Sequence, residues 1–292
     1  MKQYDLFLDS RSTRLHNALL LALRRGKHEN AQAAYDELRD LDPAGSSLHH
    51  APTLIEALRT PPAADVGEGL TLLGCLEDRW TSAAEALLGK HAHEFLQEKW
   101  RSVGDSLASE PFERNLPDRH SSYAYARCDD WGSVERSILR ERDYATHPVL
   151  LVRMAEALGR QSGRWGESVS HWFELCWTAP DLFRSLMERD EIEDPVLRAG
   201  WESAMDEDID PEIGPSWFPA WMLICEPGIA RTFSGLDART VPNSHMEVAN
   251  GPAAGAFEVL RRLACGDGRD SVLRMQLKRL HPGLLRCYLA RR

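Results

Sequence analysis

The sequence is poor in four things: long apolar runs, paired cysteine motifs, lysine, and positive charge in excess of negative. Each shortage excludes something. The most apolar early stretch, Leu15 to Leu23, is interrupted by His16 and Asn17, and it is far shorter than the roughly 20 residues needed to cross hydrocarbon. No membrane partner is expected. Met1-Lys2-Gln3-Tyr4-Asp5 lacks the basic opening of a secretory leader. The six cysteines, at positions 75, 128, 176, 225, 265 and 287, include no C-x-x-C pair. In a chain this long they read as buried thiols in a reducing compartment, so the expected location is cytoplasmic. A net charge of −10 and a pI near 5.6 argue against a whole-molecule grip on nucleic acid. Only five of the 35 basic residues are Lys, a bias that points to a GC-rich, bacterial source.

Catalytic frameworks are missing as well. No G-x-S-x-G, no P-loop and no G-x-G-x-x-G occurs, so no catalytic residue and no cofactor are assigned. Two metal readings fail on spacing. In His91-Ala92-His93-Glu94 the histidines are two apart and do not share a helix face, although His91 and Glu94 do. Asp206-Glu207-Asp208-Ile209-Asp210 opens like a calcium loop, but Pro211 stands where the sharp turn needs Gly and Trp217 where a Glu should bind. That acidic run reads instead as a partner for basic residues elsewhere in the chain.

What is present is helical periodicity. Hydrophobic residues make up 43% and charged residues 27% of 292, enough to bury a substantial core. Leu15, Ala18, Leu19 and Ala22 predict a first helix ending at Arg24-Arg25-Gly26, and Ala31, Ala34, Tyr35, Leu38 and Leu41 a second ending at Asp42-Pro43. Gly26, Ala31, Tyr35, Leu38 and Pro43 return in the same register as Gly163, Ser168, Trp172, Leu175 and Pro180. Weaker copies begin at Asp78 (with Trp80, Ala83 and Leu87) and at Asp129 (with Trp131, Val134 and Ile138). The four turn positions are 52, 51 and 34 residues apart. The two long intervals leave room for one extra helix each, for which Pro52 to Arg59 and Ala92 to Leu107 are the candidates. Trp131 and Trp165, 34 residues apart, mark the regular interval.

These ladders resemble the tetratricopeptide-repeat family, in which a glycine permits the tight turn, a small residue lets two helices approach, and an aromatic fills the gap to the next pair. The resemblance implies an all-α protein, an α-α superhelix or solenoid of antiparallel helix pairs. Residues 1–180 would hold the repeats with irregular extra helices, and residues 181–292 a divergent helical continuation. Within that part, 181–193 and 195–205 read as helices, Trp217 to Ile224 as buried helix or interface, and 228–251 as a long connection. Ala253 to Ala264, Val272 to Leu280 and a short, basic, solvated capping helix from Leu284 to Arg292 would close the chain.

The resemblance also implies a job: a non-catalytic scaffold or adaptor that takes a partner protein or peptide segment in a concave groove. The groove positions would be Arg119, Tyr123 and Arg127, then Arg153, Ala157 and Arg160. Side chains about four apart share a stripe, and Arg suits carboxylates or phosphates. The groove is therefore expected to be locally basic and its partner acidic. The matching positions of earlier helices are His16, Asp65 and Glu68. A second reading uses the C-terminal segment on nucleic acid, because residues 261–292 hold nine Lys or Arg against two Asp, a local +7. Nucleic acid is nonetheless disfavoured, since the segment lacks interleaved aromatics. A third places an enzyme site in 181–250. Oligomeric state is not legible.

Overall fold

A computed structural model describes residues 11–41, 43, 48–207, 214–234, 251–266 and 268–291. Among these the protein is all-helical, without a strand. The chain divides into two compact units, Met1–Ser137 and Ile138–Arg292. The boundary at residue 180, drawn on repeat pattern, falls inside the second of them.

In the first unit, α1 (Arg11–Arg24) and α2 (His28–Leu41) form a hairpin about Gly26, whose φ of +65° is a conformation that glycine adopts at no steric cost. Leu19, Ala22 and Leu23 face Ala31, Ala34 and Leu38 as a buried seam. The first extra helix is present as α3 (Ala51–Arg59) and the second as α6 (Ala92–Ser106). Between them the sequence misleads. No turn occurs at Asp78. Helix α4 (Val66–Cys75) passes through a π-helical turn, Leu76–Trp80, directly into α5 (Thr81–Leu88), with every junction residue in right-handed helical conformation. The expected turn is an inserted residue inside one long helix, which Gly89, at φ +52°, ends. A 3₁₀ turn at Pro117–Arg119 leads to α7 (Ser121–Ala126), and α8 (Trp131–Ile138) follows a real turn at Asp129, φ +57°.

In the second unit, α9 (Pro148–Gly159) and α10 (Trp165–Thr178) pair about Gly163, φ +79°. Next come α11 (Pro180–Glu188), α12 (Pro195–Asp206), α13 (Phe218–Cys225) and α14 (Ile229–Ser234). Asp194 caps α12 by accepting from the backbone N–H of Val196 and Leu197, and it also takes the Trp165 indole N–H at 2.5 Å. From Phe218 to Ile224 the aromatic-rich segment is buried helix, while Trp217 closes a 3₁₀ turn and is half-buried. Phe218 and Trp221 meet Phe173, Phe183, Trp201 and Phe257 in one core, with rings 5.3–5.7 Å apart in several tilted or edge-on pairs. The start of the expected connection at 228–251 is helical as α14; residues 235–250 lie outside the described residues, as do 208–213 of the acidic run.

The unit ends with α15 (Pro252–Cys265), α16 (Ser271–Leu280) and α17 (Pro282–Ala290). The last is not a solvated cap. Leu284 and Tyr288 are buried, and the Tyr288 hydroxyl donates to the Gly268 carbonyl at 3.2 Å. Nor are the cysteines uniformly buried: Cys128 and Cys176 are, while Cys265 is exposed, and all six are free thiols.

Candidate functional site

The first unit contains a cleft of about 230 Å³ lined by α5, α6 and the end of α7, and several unusual local features converge on it. Its floor is Trp100 of α6, 3% exposed. Tyr123 of α7 stands edge-on to that ring at 5.9 Å, and the Arg127 guanidinium lies over it at 5.3 Å, within the distance at which a cation is drawn to an indole face.

Local sequence explains how α7 comes so close. Gly104 on α6 leaves room for the Tyr125 ring, which a Cβ there would meet at 2.6 Å. The Tyr125 hydroxyl donates to Asp105 at 2.8 Å, and the Gln97 side chain donates to the Cys128 carbonyl at 3.1 Å. The helix is six residues long and ends at once. The backbone N–H groups of Cys128 and Asp130 fold back onto the Tyr125 carbonyl, with Asp129 left-handed between them. A left-handed conformation costs a non-glycine residue about 1 kcal/mol or more. It aims the Asp129 carboxylate at His93, 3.2 Å from Nε2.

The opposite wall is α5, through Thr81 and Glu85, and the π-helical turn leads directly into it. Such turns appear mostly as single insertions, frequently at functional sites. This one sets Glu77 against Tyr123, whose hydroxyl is pushed up to about 12, first by burial and then by its hydrogen bond to Glu77. Trp80 Nε1 and Thr81 Oγ1 beside it are buried without hydrogen-bond partners among the described residues, a rare condition that calls for a reason. Thr81 lines the cleft, and Glu85 follows one turn later.

The expected groove residues are distributed differently from the sequence reading. Tyr123 and Arg127 meet at the Trp100 cleft. Arg119 does not join them. It closes the 3₁₀ turn ahead of α7, outside the helix, and lines a separate small recess of about 60 Å³ with Glu110 and Glu113. In the second unit, Arg153 is buried at 8% exposure and Ala157 is fully buried, so neither lies on an open stripe. Arg160 caps the end of α9 and pairs with Glu193 at 2.5 Å. Asp65 and Glu68 are both engaged at the start of α4, where Asp65 is the N-cap. Asp65 accepts from the Glu68 N–H at 2.9 Å, and Glu68 accepts from the Ala64 N–H at 2.8 Å. The lining of the Trp100 cleft is also not basic, because Arg127 shares it with Glu85, Asp129 and His93.

Comparison with protein-family models, curated proteins and solved structures finds no match for this chain.

Sequence reasoning missed Trp100, Glu77, Glu85 and the His93–Asp129 pair. Of these, His93 had been weighed only as a metal ligand beside His91, and Asp129 only as a turn position. The structure separates the two, since His91 instead faces Glu94 at 3.6 Å. Among the described residues no cluster of three or more His, Cys, Asp or Glu is placed to hold a metal ion. No helix there is long and apolar enough to cross a membrane.

The basic C-terminal segment is partly spent internally. Arg261 and Arg262 both bind Glu258 at 2.8 Å, Arg274 donates to the Gly268 carbonyl, and Arg291 pairs with Glu207 at 3.1 Å. The last contact brings the start of the acidic run onto the basic C-terminus, as the charges had suggested.

Proposed function

We propose that this protein is a non-catalytic interaction scaffold, an irregular α-α superhelix related in plan to tetratricopeptide repeats, and that it holds an extended segment of a partner protein across the Trp100 cleft. The observation carrying this reading is the state of Arg127. Its guanidinium is stacked on Trp100, while no ion pair and no side-chain hydrogen bond engages it among the described residues. A cation fixed in direction by an indole, with its N–H edge open, is prepared for a planar acceptor such as a carboxylate. Glu85 on the facing helix gives the cleft a second, opposite charge, so the favoured segment carries an acidic residue with a basic or amide-rich neighbour. The hairpins about Gly26 and Gly163 support the repeat plan.

The test uses Arg127→Glu and, separately, Glu85→Lys in the full chain. Partners are captured from the native cell and compared with wild type by mass spectrometry, with circular dichroism as the folding control. Arg127→Glu is expected to lose a defined partner that wild type retains. Undiminished capture by a folded Arg127→Glu protein overturns the assignment.

A further inference from the structure

A second cleft of the first unit, about 340 Å³ and larger than the one at Trp100, lies between α2 and α3. Gln32 and Tyr35 of α2 line one wall. The other wall is the stripe Pro52, Ile55, Glu56 and Arg59 of α3, whose spacings of three and four put them on one helix face. Tyr35, Pro52 and Ile55 form the apolar part, Glu56 and Arg59 the charged part. The two charges are in different states. Glu56 accepts from both terminal nitrogens of Arg79, at 3.0 and 3.3 Å, so a residue that does not line the cleft already balances it. Arg59 has no carboxylate partner among the described residues. Its contact is a neutral amide, Gln32 Oε1, which accepts from Nη2 at 3.1 Å. Gln32 is itself oriented, because its amide nitrogen donates to both oxygens of Asp36 at 3.0 and 3.1 Å and its carbonyl oxygen is thereby turned to Arg59. The relay Asp36–Gln32–Arg59 points a guanidinium at the cleft while leaving its charge uncompensated. Among the described residues Nη1 and Nε of Arg59 and the hydroxyl of Tyr35 have no hydrogen-bond partner.

We infer that this cleft binds a small organic monocarboxylate with one aromatic or branched apolar group, its carboxylate on Arg59 and its apolar group between Tyr35, Pro52 and Ile55. Three considerations select this class. A volume of 340 Å³ belongs to the small end of small-molecule sites. A guanidinium fork matches the two oxygens of a carboxylate. A doubly charged phosphate fits poorly: Arg59 is the one uncompensated cation among the lining residues, and it is the last residue of α3, at the negative end of the helix dipole. The site is independent of the Trp100 cleft, with which it shares no lining residue.

Binding is measured on the full chain by calorimetry and ligand-detected NMR. The probes are phenylacetate and 4-methylpentanoate; their neutral amides, acetate and phenyl phosphate are the comparisons. Wild type is expected to bind both probes with a dissociation constant of roughly 0.1–1 mM, the range open to ligands of this size. The amides lack the charge and acetate lacks the apolar group, so each is expected to bind at least about tenfold more weakly. Arg59→Gln should weaken phenylacetate by a similar factor. So should Gln32→Glu, which sets a carboxylate beside Arg59 and neutralises the cleft from within. Circular dichroism checks that both variants fold, and the amide and acetate comparisons need no variant. Arg127→Glu, altered only in the Trp100 cleft, should bind the probes as wild type does. No saturation by about 10 mM probe overturns the inference. An amide or acetate bound as tightly as phenylacetate overturns it too, as does phenyl phosphate bound more tightly than either probe. A folded Arg59→Gln or Gln32→Glu protein that binds like wild type has the same force. Loss of binding in Arg127→Glu would place the probes at Trp100 and refute the assignment to this cleft.

Discussion

Glu174 sits on α10 at 3% exposure, with Oε1 buried and without a hydrogen-bond partner among the described residues. Burial alone pushes its carboxyl from an ordinary 4.5 up to about 7, because the charged form loses hydration and gains no counter-charge in return. The sign follows directly. The folded protein holds this proton more tightly than the unfolded chain does. Below pH 4.5 both states are protonated and nothing is lost. As pH rises from 4.5 through 7, the unfolded carboxyl ionises freely while the folded one resists, so stability falls, and above 7 the loss is complete. With these two values the full loss is about 3 kcal/mol, of which about 2.5 kcal/mol accrues between pH 5 and pH 8.

Glu174→Gln keeps the shape and cannot ionise. Relative to wild type it should be nearly neutral at pH 5 and more stable at pH 8 by about 2–3 kcal/mol, or roughly 5–10 °C in midpoint. Urea and thermal unfolding of both proteins at the two pH values measure the difference. Glu156, also raised chiefly by burial, tilts both proteins alike and cancels from the comparison. A variant-minus-wild-type difference that is the same at pH 5 and pH 8 would refute the reasoning.

Asp78 is exposed within the π-helical turn, so Asp78→Pro should remove a helix hydrogen bond and cost about 3 kcal/mol; were residue 78 a turn between helices, thermal unfolding would move little. Gly104→Ala would thrust a methyl into the Tyr125 ring, which approaches to 2.6 Å of the ideal Cβ position, and should cost about 1–3 kcal/mol. An unchanged unfolding midpoint would show that α7 yields without penalty.

The helix hairpins were legible because their determinants are local. Gly26 and Gly163 adopt positive φ at the turns where the ladders begin, and Leu19, Ala22, Ala31, Ala34 and Leu38 of the expected faces are buried, whereas Ala18 and Leu41 are exposed. Asp129 shows that a turn can be read at a residue other than glycine. Asp78 failed for a definite reason. The ladder from Asp78 through Trp80, Ala83 and Leu87 has helical spacing, and helical spacing is equally satisfied by a helix that never stops. One inserted residue, accommodated as a π turn, changes the phase of the buried face just as a turn would, so Trp80 and Ala83 become buried without any break in the chain.

The candidate site was less legible because it depends on distances that spacing does not encode. Tyr123 and Arg127 are four apart, and the stripe argument placed them correctly as neighbours. The same argument failed for Arg119, since it assumed an unbroken helix where the chain has a 3₁₀ turn followed by only six α-helical residues. Arg153 failed for a different reason. Hydrophobic periodicity counts an arginine as solvent-facing, yet α9 is apolar around most of its circumference, and Arg153 is buried with Leu150, Leu151, Met154 and Ala157. A helix of that kind has little polar face to offer a partner. The same composition that made Arg153 stand out on the sequence therefore argues against it as a contact residue under the proposed function, and leaves Arg127, stacked on the Trp100 indole, as the arginine that proposal rests on.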